Sequence, residues 1–440
     1  MKKILLYGAI IGSLLGAQIV YFNFVYFRLS LFRICLLCLL LITLVALMNG
    51  TKVVLHKENK FSIAFMVIWF MYAIVSVLWV KDYFLWIKSC WFIGCGTILC
   101  VIFCVYIKKI ADFKNIFFLL SIMVMFHQII GWYEMLTRNY VFSISERLLA
   151  RTQSFLHFPV FSPPVSVFVN QNDYALVVLF GIFVSHVCFG LCRNKLIKIC
   201  YFLLMVSGAI LLYFTNSRAN MVGLIMGICC YTFIKLGQKK HGKIILLTLV
   251  VFFLFVISPY MENIMQKLMV FDFSGNTLNS ESIRVNLILN GFYFLVQTIG
   301  FGVGAGNIEY WMATRLIYPV GATGEYANIH NWWVEILTAY GVFIFVLYIV
   351  FFVCMFVSFY KKYTSVKSKS VKTISLGFMC MMASFVLGSI SSSSNIGTEW
   401  LWVFWAVAIA FQGYKEHAIS KIAILSPSCA DREGISEKGA

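Results

Sequence analysis

His330-Asn331-Trp332-Trp333-Val334-Glu335-Ile336-Leu337-Thr338-Ala339-Tyr340-Gly341 opens an apolar run that lasts to about residue 359. It also closes a roughly 70-residue polar interruption, 261–332. A helix crosses the hydrocarbon core of a bilayer with about 20 apolar residues, so the run is long enough to span. Comparable runs recur along the chain, near 4–22, 30–49, 61–80, 89–107, 115–136, 173–192, 197–214, 219–236, 244–260, 333–359, 373–391 and 399–414. Trp79, Trp132, Tyr133, Tyr260, Trp332, Trp333 and Trp400 stand at span ends, where amphipathic rings anchor at the interface.

Composition agrees. The chain is 61% hydrophobic and 12% charged, whereas a soluble domain is about half apolar and a quarter charged. The expected fold class is an all-α polytopic integral membrane protein of about twelve transmembrane helices. Residues 1–414 make one membrane domain in this reading, and 415–440 a short disordered cytoplasmic tail. Met1-Lys2-Lys3 and the run after it read as an uncleaved first span, because the orientation below requires it.

With the N-terminus inside, 24 of the 35 Lys and Arg residues and 6 of the 17 acidic residues fall on inner segments. The inner side then carries the whole formal charge of +18 and the outer side is near neutral, as the positive-inside rule requires. The basic character is a topology signal and gives no support to a nucleic-acid partner. Both termini are expected in the cytoplasm. Thirteen of the fourteen cysteines lie in or at the ends of apolar runs and the last, Cys429, is in the tail. They read as small buried hydrophobes, not as a disulfide framework.

Two outer loops are long. The first, 137–172, holds Arg138, Arg147, Arg151, His157 and Pro163-Pro164, and runs into Asn170-Gln171-Asn172-Asp173, a sensible helix-capping segment. The second, 261–332, lies between the ninth and tenth spans. Long loops in compact proteins are usually functional or disordered, and this one is too apolar for disorder. Asn279-Ser280-Glu281 starts a helix there, with Asn286, Asn290, Tyr293 and Gln297 on one stripe. Such a helix lies in the interface or dips into the protein. The glycine run Gly300-Phe301-Gly302-Val303-Gly304-Ala305-Gly306-Asn307 suits a tight turn or close helix packing as well as a phosphate cradle, because the strand and helix of a nucleotide fingerprint are missing.

Arg218, in the short break Thr215-Asn216-Ser217-Arg218-Ala219-Asn220, is the most informative residue. A charge between two closely spaced spans marks a functional site, or else snorkels to lipid phosphates. Arg284 and His330 fall on the same side. Guanidinium forks bind diphosphate oxygens bidentately and stabilise charge on a leaving diphosphate. A neutral imidazole removes a proton from an acceptor hydroxyl. Glu335 lies in the next turns as a candidate to orient His330, and the i+5 spacing leaves direct contact open. The serines Ser391 to Ser394 read as a simple connection. No paired aspartates with metal spacing occur outside, so neither metal nor cofactor is expected.

These pieces resemble a known family. Thr215-Asn-Ser-Arg218 is similar to the Ser-Arg motif of the O-antigen ligase and polysaccharide polymerase superfamily. Ser282-Ile-Arg284 with the glycine run resembles its second arginine and Gly-Val-Gly segment, and His330-Asn331 followed by Gly341 resembles its His-Asn signature. The second glycine often found after that signature is missing from Gly341-Val-Phe-Ile, which leaves the local helix packing open. Asn170-Gln171-Asn172-Asp173 looks like its asparagine-rich span entry. The resemblance implies a C-type glycosyltransferase-like fold and metal-independent, inverting transfer from an undecaprenyl-diphosphate-linked glycan on the outer face of the bacterial cytoplasmic membrane. It implies that Arg218 and Arg284 bind the diphosphate and that His330 activates the acceptor, with Asn172, Asn216 and Asn331 binding substrate. Polymerisation of repeat units is the favoured activity, ligation of a finished glycan the alternative. Membrane lipid, a chain-length regulator and a flippase are the other partners to expect. A transporter would instead gather Arg33, His127 and His186 around a central cavity.

Overall fold

The computed structural model describes residues 2–19, 21–24, 27–50, 55–142, 153–155, 158–238, 280–320, 328–392 and 394–415. Nine helices among the described residues are long and apolar enough to cross a membrane. In chain order these are α2 (Leu31–Met48), α3 (Lys57–Val75, extended by a 3-10 turn to Leu78), α4 (Tyr83–Tyr106), α5 (Ile110–Thr137) and α6 (Gln171–Leu191). They continue with α7 (Lys195–Phe214), α8 (Arg218–Leu236), α11 (Trp332–Ser365) and α12 (Lys369–Gly388). The helices α1 (Lys2–Ile19) and α13 (Glu399–Gly413) fall on two further expected spans. Two more lie in the long loop, α9 (Ser280–Gln297) and the short α10 (Ile308–Thr314). The span expected at 244–260, the loop residues Arg147, Arg151 and His157, and the tail from 416 lie outside the described residues.

Helices carry the architecture, with two short hairpins beside them. Two antiparallel hairpins occur, β1 (Tyr21–Phe24) with β2 (Phe27–Ser30), and β3 (Gln153–Phe155) with β4 (Phe158–Phe161). The first takes residues expected at the end of span 4–22. Gly16 has already left helical geometry at φ 67°, and the aromatic run that follows favours a strand.

Small polar residues fix where the helices begin. Asp82 accepts from the Phe84 and Leu85 N–H groups at 2.9 and 3.0 Å, and Asn194 from Leu196 at 2.8 Å. Each satisfies backbone donors that a helix start leaves open. Burial then sorts the helices. Every residue of α13 is buried, and α6 and α12 are mostly buried, whereas α7 and α8 show large apolar side chains such as Leu203, Val206, Val222 and Ile225 outward. In water such a surface would be an aggregation hazard; facing acyl chains it costs nothing. The core joins α13 to α4, α12 to α8 and α6, and α6 to α5 and α7. Trp69 meets Trp332, Tyr340 and Tyr348 edge-on and Trp402 at a tilt in one aromatic cluster.

The two ends of the bundle differ. At one, Lys3 pairs with Asp112 at 2.6 Å, Lys415 with Glu58 at 2.8 Å, and Lys362 donates to the Tyr414 carbonyl. The first and last described helices thus start and finish together there. At the other end, Arg33 Nε pairs with buried Glu399 at 2.8 Å and Ser30 Oγ donates to the same carboxylate at 2.9 Å. This clamps α2 to α13. Buried pairs of this kind tolerate loss of one partner poorly, at about 3–5 kcal/mol. The Arg33, His127 and His186 side chains sit in three separate settings: on Glu399, on Ser166 Oγ at 3.0 Å, and edge-on to Tyr231. Among the described residues these contacts do not bring the three side chains together.

Candidate active site

The glycine run settles into a specific job. Gly302 has φ 81°, and a Cβ there would lie 2.5 Å from the Gly341 nitrogen. Gly341, at φ 75° and ψ 179°, interrupts α11. That break exposes carbonyls which the run then satisfies. Val303 N–H donates to Thr338 at 2.8 Å, Gly304 N–H to Ala339 at 3.0 Å, and Val342 N–H to Gly300 at 2.9 Å. Asn307, fully buried, accepts from the Lys81 and Asp82 N–H groups and donates to the Asp82 carbonyl. Trp79 Nε1 donates to the Gly302 carbonyl and the Tyr72 hydroxyl to that of Phe301. The segment is a structural strut between the α3–α4 turn and the broken helix, not a phosphate cradle. One glycine suffices for the break, so the missing second glycine after the His-Asn pair leaves the packing intact.

The strut positions the start of α11. Trp332 Nε1 donates to the Tyr348 hydroxyl at 2.8 Å, Trp333 Nε1 to the Val386 carbonyl at 2.9 Å, and the Trp332 N–H to Ser389 at 3.2 Å. Asn331 caps the helix, its Oδ1 accepting from the Trp333 and Val334 N–H groups at 3.1 and 3.3 Å. Just before it, His330 adopts a left-handed backbone, φ 53°, a sparsely populated state for this residue type that gathers at functional sites.

The serine connection is the hub. Ser217 Oγ lies 3.2 Å from Ser391 Oγ, and the Asn220 amide donates to the same hydroxyl at 3.2 Å. The Asn220 amide also reaches the Asn172 carbonyl at 3.4 Å. His330 bonds with the Ser392 backbone, and the Arg284 charge acts directly on it. Ser394 Oγ donates to Glu335, which is buried and on which the Asp173 and Glu309 carboxylates act electrostatically. Arg218 begins α8 directly after Ser217, Arg284 lies in the opening turns of α9 with its charge acting on His330, and His330 precedes α11. Both arginines are exposed and His330 is half-buried. Asn216 is exposed in a left-handed turn at φ 56°, with its N–H on the Tyr213 carbonyl. Of Asn172 the network uses the carbonyl, and of Asn331 the side-chain oxygen is committed to the cap.

Reading the sequence missed three things here. Ser391, Ser392 and Asn220 are almost fully buried polar residues at the centre of the network. Polar groups buried in that way are bonded or costly, and a serine cluster closing a span was the available sign. Glu335 and His330 are linked by the serine segment, Ser394 donating to the carboxylate and the Ser392 backbone bonding the imidazole. The stripe on α9 grips the chain that follows: Asn290 accepts from the Ile317 and Tyr318 N–H groups at 3.0 and 3.1 Å, and Asn286 donates to the Pro319 carbonyl at 2.7 Å.

Burial lowers the His330 pKa below the ordinary 6.5, and the neighbouring Arg284 cation lowers it further, against the hydrogen bond with the Ser392 backbone. The imidazole is held neutral, the form that accepts a proton.

Residues 201–349 match the family model described as O-antigen ligase. That interval contains Asn216, Arg218, Arg284, His330 and Asn331, and excludes Asn172 and the serine hub. The chain is also similar to the teichuronic acid biosynthesis protein TuaE of Bacillus subtilis (strain 168). The two are 30% identical over 360 residues, which cover 80% of this chain and 72% of the relative.

Proposed function

The chain belongs to the O-antigen ligase and polysaccharide polymerase superfamily, and from that premise we propose that it polymerises undecaprenyl-diphosphate-linked repeat units into a surface polysaccharide. In this reading the serine-hub end faces outward from the bacterial cytoplasmic membrane and both termini are cytoplasmic. The observation that carries it is the shared hub: the turn bearing Arg218 and the imidazole of His330 bond to neighbouring serines, with the Arg284 charge acting on that imidazole.

The step balances with these groups alone. The acceptor hydroxyl oxygen attacks the anomeric carbon of the donor as its bond to the diphosphate oxygen breaks. The hydroxyl proton passes to His330, and the bonding pair leaves on the diphosphate, where Arg218 and Arg284 offset the charge. In this reading Asn172, Asn216 and Asn331 contact the donor glycan. The relative's part in teichuronic acid biosynthesis supports a cell-envelope polysaccharide as product.

A deletion strain tests the polymerase assignment: it should carry single repeat units on its surface acceptor. Long lipid-linked chains that never reach an acceptor would overturn it in favour of a ligase. The role of His330 makes a separate prediction for pH. Only the neutral imidazole is competent, so kcat/KM should rise through an acid limb with its midpoint below 6.5 and stay level through neutrality. Removing the Arg284 cation takes away one of the two depressing causes. In Arg284→Gln the limb of the residual activity should therefore move up. A wild-type midpoint above 7 would contradict a base held neutral by its surroundings.

A further inference from the structure

Beside the serine hub lies a cavity of about 320 Å³, within the ~300–1,000 Å³ typical of small-molecule sites. Asn328 and Ser394 line it, each two residues from the contact between His330 and Ser392. Its polar lining includes the carboxylates Glu309 and Glu335 and the hydroxyl of Ser89; Phe92 and Ile308 supply apolar wall, and exposed Lys88 is the one cation among the described lining residues. We propose that this cavity is the acceptor site, and that it takes an uncharged, hydroxyl-rich terminal sugar with one hydroxyl turned toward His330.

Charge argues for this division of labour. The Arg284 cation acting on His330 suits a diphosphate. The cavity is set with carboxylates instead, and Asp173 adds a third that acts on Glu335. An anionic ligand would be repelled there. Sugar hydroxyls are donors, and carboxylates are acceptor-only groups able to take several of them. The C–H faces of a pyranose need apolar wall, which Phe92 and Ile308 provide. Glu335 is 5% exposed and Ser394 already donates to it, so it is oriented before ligand arrives. A carboxylate kept in such a place with two others acting near it is costly, and hydroxyl donors from a ligand relieve that cost.

The inference rests on the glycosyltransferase reading, and the test separates the two. Purified protein in nanodiscs is melted with undecaprenyl diphosphate, with the repeat-unit oligosaccharide freed from its lipid by mild acid, and with both. A ligand that binds only the folded state raises the melting temperature, and ligands in separate sites should do so together. Wild type should respond to each. Glu335→Gln should keep the response to the diphosphate and lose that to the oligosaccharide. Gly397→Leu is the second variant. The nearest atoms to a Cβ at Gly397 are those of the Phe92 ring, at 3.5 Å or more, so the side chain should be accommodated and fill the cavity; the same split is expected. Unaltered oligosaccharide binding in both variants, or its absence from wild type while the diphosphate binds, overturns the acceptor site. Absence of both responses in wild type counts instead against the glycosyltransferase reading.

Discussion

His330→Ala and His330→Asn should each lower polymer formation by about 10²–10⁴-fold, the usual worth of a positioned general base, with membrane abundance unchanged. Two substitutions are needed because position 330 carries a backbone demand as well as a chemical one. Its φ of 53° lies in the left-handed region. Alanine there costs about 1–2 kcal/mol, whereas asparagine visits the region readily. Asparagine also keeps a donor for the Ser392 backbone, yet it cannot accept a proton in the relevant pH range. Equal inactivity of the two variants, with the asparagine form as heat-stable as wild type, assigns the loss to the missing base. Full turnover in His330→Asn would withdraw that role and leave the residue a turn former. Arg218→Lys and Arg284→Lys should also be poor, since a point charge does not reproduce a planar fork. They should leave the pH limb in place, however, because the cation beside His330 is retained.

What the sequence disclosed follows from which forces are local. Apolar run length and the sidedness of lysines are properties of contiguous stretches, so the spans and the candidates Arg218, Arg284 and His330 were visible without coordinates. The hub was not. Ser391 joins Ser217 and Asn220 across more than 170 positions of chain, and nothing in a serine run says which distant hydroxyl or amide it will meet. Asn307 was hidden for the same reason, because its partners Lys81 and Asp82 lie some 225 positions away. The first expected span runs two residues into the first hairpin, Tyr21 and Phe22, because the aromatic residues after Gly16 continue the apolar run of the helix before them. Only the backbone break at that glycine tells them apart.

Gly341→Ala is expected to be the most damaging single-methyl change in the chain. At φ 75° and ψ 179° the residue occupies a region essentially closed to side chains, so strain alone costs about 1–3 kcal/mol. The added Cβ would also fall 2.3 Å from the Gly300 carbonyl oxygen, and backbone cannot swing aside as a long side chain does. Relief requires the strut to retreat. Retreat breaks the bonds from Val303, Gly304 and Val342, at about 1 kcal/mol each, and leaves the Thr338 and Ala339 carbonyls open inside the protein. The broken helix would then be free to straighten, and its first two turns carry Asn331, Glu335 and the chain entering from His330. Loss of activity should therefore accompany a lower melting temperature in detergent, in contrast to His330→Asn, where activity falls alone. A Gly341→Ala protein with wild-type melting temperature and wild-type polymer would mean that the break in α11 is incidental to the site.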